Sequence, residues 1–203
     1  GTFTAICAID VDDGVRYETA DMRIAPIRED NVYGGLRLTI PAFIGSARLP
    51  VQVDIGFGDA ITPAPETVTY PTLLDDLAAP SLRAYPVYTV IAEKLHAMVV
   101  LGMNNSRMKD FFDLAVIART SELDGATLVD AIRATFARRN TSVPSTVPAA
   151  LTAEFSANPI KAQQWRAFVT KAGLQWSSLE AVVATLAEFL GPALAACSLS
   201  SDF

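Results

Sequence analysis

The chain holds 203 residues, 51% of them hydrophobic and 19% charged, with 16 Lys and Arg against 22 Asp and Glu for a net charge of −6. A mean hydropathy of +0.30 supplies material for one large core or two small ones and excludes intrinsic disorder. The single histidine, His96, excludes zinc sites built on several imidazoles and leaves room for only one Ser–His or Cys–His base.

Cys7 and Cys197, near opposite ends and without Cys-x-x-Cys spacing, make no disulfide framework, and a reducing cytoplasm is the expected compartment. The start at Gly1-Thr2-Phe3 already reads as a strand, with no leader before it, and suggests a piece cut from inside a longer protein. Charge divides the chain unevenly: residues 1–85 carry twelve acids and six arginines, whereas residues 86–203 carry ten acids and ten bases.

In the first part, Thr2–Asp10, Val15–Met22, Tyr33–Ile44 and Ala47–Phe57 read as strands of a largely antiparallel sheet. Asp12-Asp13-Gly14 and Gly45-Ser46 supply the turns, so Asp10, Asp12 and Asp13 are turn residues rather than a metal motif. Gly34-Gly35 lacks a following Lys-Ser/Thr and leads into a strand, so it is no phosphate cradle. Pro63, Pro65 and Pro71 mark a loop in which regular structure would be costly.

From Pro86 the period becomes helical: Val87, Ile91, Leu95 and Met98 recur along one stripe that ends at Gly102. Further helices are expected at Arg107–Arg119, Thr127–Arg139, Ala149–Phe155, Pro159–Ala172 and Ser178–Leu190, with Pro144 and Pro148 breaking the chain between them. The apolar stretch Phe189–Cys197, interrupted by Gly191 and Pro192, is too short to span a bilayer. The class is α+β, a sheet region over residues 1–85 followed by a helical domain over 86–203.

Several polar residues stand where these patterns call for apolar ones. Lys94 lies in the first helix's stripe and needs a partner, while Asp110 and Asp113 share a stripe with Leu114 and Ile117 on the second helix. Two readings are open: an ion pair that sets the register of two helices, or a polyphosphate site in which Lys94, Arg107 and Lys109 face a nucleotide. Asp54, in a strand that runs into Gly56 and Gly58, is either a metal ligand or the polar member of an alternating strand. His96 has no recognisable catalytic companion. Arg133, Arg138 and Arg139 are either a small nucleic-acid patch or a solvated helix face.

Taken together, Tyr85-Pro86, Ala92-Glu93-Lys94-Leu95, Arg107-Met108-Lys109-Asp110-Phe111-Phe112-Asp113-Leu114 and the earlier Val53-Asp54-Ile55-Gly56-Phe57-Gly58-Asp59 resemble the AbiEii/AbiGii abortive-infection nucleotidyltransferase toxins. The resemblance implies an incomplete nucleotidyltransferase sheet followed by helices, and a bacterial toxin of a toxin–antitoxin or phage-defence system. Such a toxin transfers a nucleotide from a Mg2+- or Mn2+-bound NTP to an acceptor such as tRNA, beside a cognate antitoxin from the same operon. It also implies Asp54 as metal ligand or base, Lys94 as a catalytic phosphate contact, and Arg107, Lys109, Asp110 and Asp113 as the nucleotide pocket.

The family's Gly-Gly/Ser turn and Asp-x-Asp strand, its main magnesium ligands, are not in this chain. The 203 residues are therefore expected to be inactive alone, and a truncated sheet is expected to self-associate. The alternative is a degenerate, non-catalytic module that binds a nucleotide or a protein.

Overall fold

Gly35–Ile44 (β3) is long enough to take partners along both edges. The computed structural model, which describes residues 1–27 and 35–199, pairs it antiparallel with Ala47–Gly56 (β4) over its whole length. Val15–Tyr17 (β1) and Arg23–Ile27 (β2) share its other edge end to end, against Ala42–Ile44 and Gly35–Thr39 respectively. Gly45, at φ +57°, opens the two-residue turn between β3 and β4, a conformation an L side chain resists.

Prolines settle the hydrogen-bond phase of this sheet. Pro41 faces Pro50, and since neither has an N–H, theirs must be a non-bonded pair. Pro41 then directs its polar groups to the opposite edge, at the gap between β1 and β2, where its carbonyl accepts from the Glu18 N–H at 2.8 Å. Leu38, Ile40 and Ala42, at alternate positions on one face of β3, are buried.

Two expectations for this region fail. The residues expected as a strand at Thr2–Asp10 form a short helix at Thr2–Cys7 (α1), which buries none of its side chains. Strand propensity expresses fit to a sheet surface, and the free edge of β3 is already filled by β1 and β2. The strand expected over Val15–Met22 stops at Tyr17, where a 3-10 turn at Thr19–Asp21 sends the chain back to the same edge as β2. Tyr33 and Gly34 lie outside the described residues, whereas Gly35 opens β3 where a Cβ would come within 3.2 Å of the Ile55 carbonyl.

Contacts divide the chain into two units, Gly1–Asp59 and Ala60–Phe203. The second opens with a hairpin of Glu66–Thr69 (β5) and Ser81–Ala84 (β6), in the region read from sequence as an irregular loop. Pro63, Pro65 and Pro71 flank β5 and leave its ladder intact. This stretch is tied to the helices by Thr89, whose hydroxyl accepts from the Thr62 N–H and donates to the Thr62 carbonyl, both at 3.0 Å.

Six helices follow: Val87–Leu101 (α2), Met108–Thr120 (α3), Gly125–Arg138 (α4), Ala153–Ala157 (α5), Pro159–Lys171 (α6) and Leu179–Leu199 (α7). Asp124 caps α4 through the Thr127 N–H, and Asn158 caps α6 through those of Ile160 and Lys161. Their stripes converge on one core that includes Ile91, Leu95, Phe111, Leu114, Phe136 and Leu186. There the Phe111 and Phe155 rings stack with centroids 5.2 Å apart.

The last helix corrects another expectation, since it runs nine residues beyond Leu190 and carries Pro192 inside it. Proline forfeits one backbone bond, but Ala193, Leu194 and Cys197 continue the buried stripe. The Arg133 guanidinium also donates to the carbonyls of Ala196 at 2.9 Å and Cys197 at 3.4 Å, near the helix end. By length and composition alone α7 could cross a membrane, but its buried stripe belongs to the core of the helical unit.

Candidate functional site

Lys94 sits on α2 between the buried Ile91 and Leu95, so its side chain leaves the core stripe toward α3. Its Nζ donates to Asp110 Oδ1 and to Asp113 Oδ2, each at 2.7 Å. The three side chains keep only 17%, 5% and 21% of their exposure. The spacing of Asp110 and Asp113, three residues apart on α3, lets one ammonium bridge both carboxylates.

Two further cations stand at the start of α3. Lys109 Nζ lies 2.7 Å from Asp113 Oδ2, so this oxygen serves two lysines. Arg107 Nε lies 2.7 Å from Asp110 Oδ2 but off the hydrogen-bond direction, which leaves that oxygen an ion-pair neighbour and no hydrogen bond. Three cations against two carboxylates give the cluster a net charge of +1. Arg107 and Lys109 remain 55% and 72% exposed, beside a groove of about 560 Å³ that Gln164 and Phe168 line from α6.

Burial pulls the Lys94 ammonium's pKa down, but the hydrogen bonds and charges of Asp110 and Asp113 outweigh it and hold it above the ordinary lysine range. Burial likewise pushes the Asp113 carboxyl up, and the bonds from Lys109 and Lys94 more than offset it, so it lies below the ordinary carboxylate range. Lys94 is therefore a charged ammonium already saturated by carboxylates. The cations with room for an incoming anion are Arg107 and Lys109.

Asp54 stands in the first unit, on β4, with a partner the sequence reading missed. Arg37 lies directly across on β3 and grips it in bidentate fashion, Nε to Oδ1 and a terminal nitrogen to Oδ2, both at 2.8 Å. The hydrogen bond from Arg37 lowers the Asp54 pKa. The pair occupies the face opposite Leu38 and Ile40, as the polar member of an alternating strand would. Its register could have been counted outward from the two-residue turn at Gly45-Ser46.

This donor set does not suit a divalent ion, for which carboxylate oxygens have to be free to coordinate. Asp54 commits both oxygens to Arg37, and Asp110 and Asp113 face lysines and an arginine. Among the described residues no three His, Cys, Asp or Glu side chains gather as a metal site would require. Asp13 spends its Oδ1 on the Val15 N–H at 2.9 Å, a local turn contact.

His96 is half-buried: its Nε2 lies 2.9 Å from the Thr141 hydroxyl and its ring meets Phe136 edge-on. Burial, with the charge of Arg139, lowers its pKa. The three arginines of α4 and its end make no free basic patch, since Arg133 holds the end of α7 and Arg139 pairs with Glu93 at 2.9 Å.

Sequence reasoning also missed Lys161 and gave no role to Asn105, which opens the Asn105–Leu114 stretch of the family resemblance; both are buried polar residues beside the start of α3. A fully buried Asn in a connection and a lysine in a first helical turn leave no periodic signal.

A family model described as "Nucleotidyl transferase AbiEii toxin, Type IV TA system" matches residues 1–184. No curated protein matches the chain. No solved structure matches it either.

Proposed function

The chain belongs to the AbiEii family of nucleotidyl transferase toxins of type IV toxin–antitoxin systems, and from that premise we propose that it engages the phosphates of an NTP through Arg107 and Lys109. The observation that supports this is the half-closed cluster at the start of α3, with two exposed cations outside a buried Lys94–Asp110–Asp113 knot. Phosphoryl-type transfer asks mainly for fixed positive charge around a spreading negative one. In this reading Lys94 orders the two aspartates, and the aspartates order Lys109 and Arg107.

The reaction in view is transfer of a nucleotide to an acceptor, with tRNA as the proposed acceptor, in the cytoplasm and beside a cognate antitoxin. A Mg2+ or Mn2+ ion would supply charge neutralisation at the phosphates. The described carboxylates do not offer it a site. The 203 residues by themselves are accordingly proposed to bind NTP without transferring it.

Calorimetry with ATP, GTP, CTP and UTP tests the binding, and incubation of each labelled NTP with Mg2+ and total tRNA tests the transfer. The expected result is binding of at least one NTP, weakened in Arg107→Ala/Lys109→Ala, with no label on RNA. Robust transfer by this chain would overturn the inactivity. Failure of every NTP to bind would overturn the role given to Arg107 and Lys109.

A further inference from the structure

Lys161 is placed where a lysine is unfavourable three times over. It is 7% exposed, it lies in the first turn of α6, where the helix dipole repels a cation, and among the described residues no carboxylate pairs with it. Burying an ammonium without a counter-charge opposes folding, and an apolar side chain of the same length would serve the core better.

Its head group has two neighbours. Nζ donates to the Asn105 backbone carbonyl at 2.8 Å, and it lies 5.5 Å from the centre of the Phe155 ring. A charge-assisted bond and a cation–π contact together offset part of the desolvation.

Asn105 is in turn held on three sides. It is wholly buried, its N–H donates to the Gly102 carbonyl at 3.1 Å, and its Oδ1 accepts from the Arg107 N–H at 2.8 Å. The short connection from Gly102 to Ser106 joins the helix bearing Lys94 to the helix bearing Asp110 and Asp113. Where this connection is pinned, the first turn of α3 is pinned too.

We infer that Lys161 is a positioning residue, which through the Asn105 carbonyl fixes the start of α3 and so the stance of Arg107, Lys109 and the two aspartates against Lys94. Its consequence for phosphate binding rests on the function proposed above, but the positioning itself does not. The cation at this point orders the loop rather than strengthening the core.

The test compares the 203-residue chain with Lys161→Met, which keeps the stem and removes the charge. Melting is followed by tryptophan fluorescence, the Asp113 carboxyl by 13C NMR titration, and anion binding by calorimetry with inorganic tripolyphosphate. The expected result is a melting temperature unchanged or raised, an Asp113 pKa moved up toward the ordinary value of about 3.9, and tripolyphosphate affinity about tenfold weaker.

An Asp113 titration identical to wild type would overturn the inference, whatever the melting temperature does. Should wild type fail to bind tripolyphosphate, the phosphate role of Arg107 and Lys109 falls, and the Asp113 titration still decides the positioning. If Lys161→Met does not fold, Lys161→Gln, which removes the charge and is too short to keep the bond to the Asn105 carbonyl, takes its place. An unmoved Asp113 in that variant overturns the inference equally.

Discussion

Lys94→Met is expected to destabilise the helical unit at pH 7 by about 3 kcal/mol, the lower end of the range for removing one partner of a buried ion pair. The size follows from what each aspartate keeps. Asp113, at 21% exposure, retains Lys109 and some water, so its loss is small. Asp110, at 5%, loses the only hydrogen bond that the described residues make to Oδ1 and keeps Arg107 at an unfavourable angle.

Both tryptophans, Trp165 and Trp176, lie in the helical unit. Urea unfolding followed by their fluorescence therefore reports that unit and avoids averaging over two bodies. With a slope of about 2 kcal/mol/M, the midpoint should fall by about 1.5 M. The double variant Lys94→Met/Asp110→Asn should recover part of the loss, because the amide removes the uncompensated charge. A loss below about 1 kcal/mol in Lys94→Met would refute the reasoning and return Lys94 to a purely ligand-facing role.

Other outcomes follow from the same geometry. Because the Asp113 pKa is lower folded than unfolded, its contribution is present above the unfolded value of about 3.9 and is lost as pH falls through the folded one. Asp113→Asn should flatten that acid limb in a stability-against-pH curve. His96 behaves in the opposite sense to a paired histidine. Its folded pKa is depressed, so stability should decline as pH falls below about 6.5, and His96→Gln, which removes the only imidazole, should abolish that slope. In the first unit, Arg37→Met should raise the Asp54 carboxyl to the ordinary range by NMR titration; an unchanged value would deny the bidentate pair. Phe111→Ala, which empties a fully buried site stacked on Phe155, should cost about 3–5 kcal/mol in the same urea assay.

Much of the architecture is written locally. The period of 3.6 residues from Pro86 gives α2, and the Asp124 and Asn158 caps give the starts of α4 and α6, because these are decided within a few residues of chain. The β3–β4 hairpin is equally local, since Gly45 and the alternation beside it set turn and register together. The lysine–aspartate cluster was also visible, as polar residues breaking an apolar stripe, and its residue types carried the family resemblance.

Tertiary structure decided how the cluster is paired. Spacing left Lys94 either paired or free, and only the packing of α3 on α2 brings both carboxylates to one ammonium and leaves Arg107 and Lys109 outside. The partner of Asp54 was set by its neighbour across the ladder, and the helix at Thr2–Cys7 by the filling of an edge its propensity would otherwise have suited. The length of α7 was decided by buried contacts and by Arg133, from 63 residues away along the chain. Lys161 is the furthest from prediction: a lysine in a helix's first turn signals nothing until the fold carries a carbonyl from Asn105 to meet it. Local sequence sets the elements because their hydrogen bonds are short-range. Partners of buried charges are set by which elements meet, which no window of the chain contains.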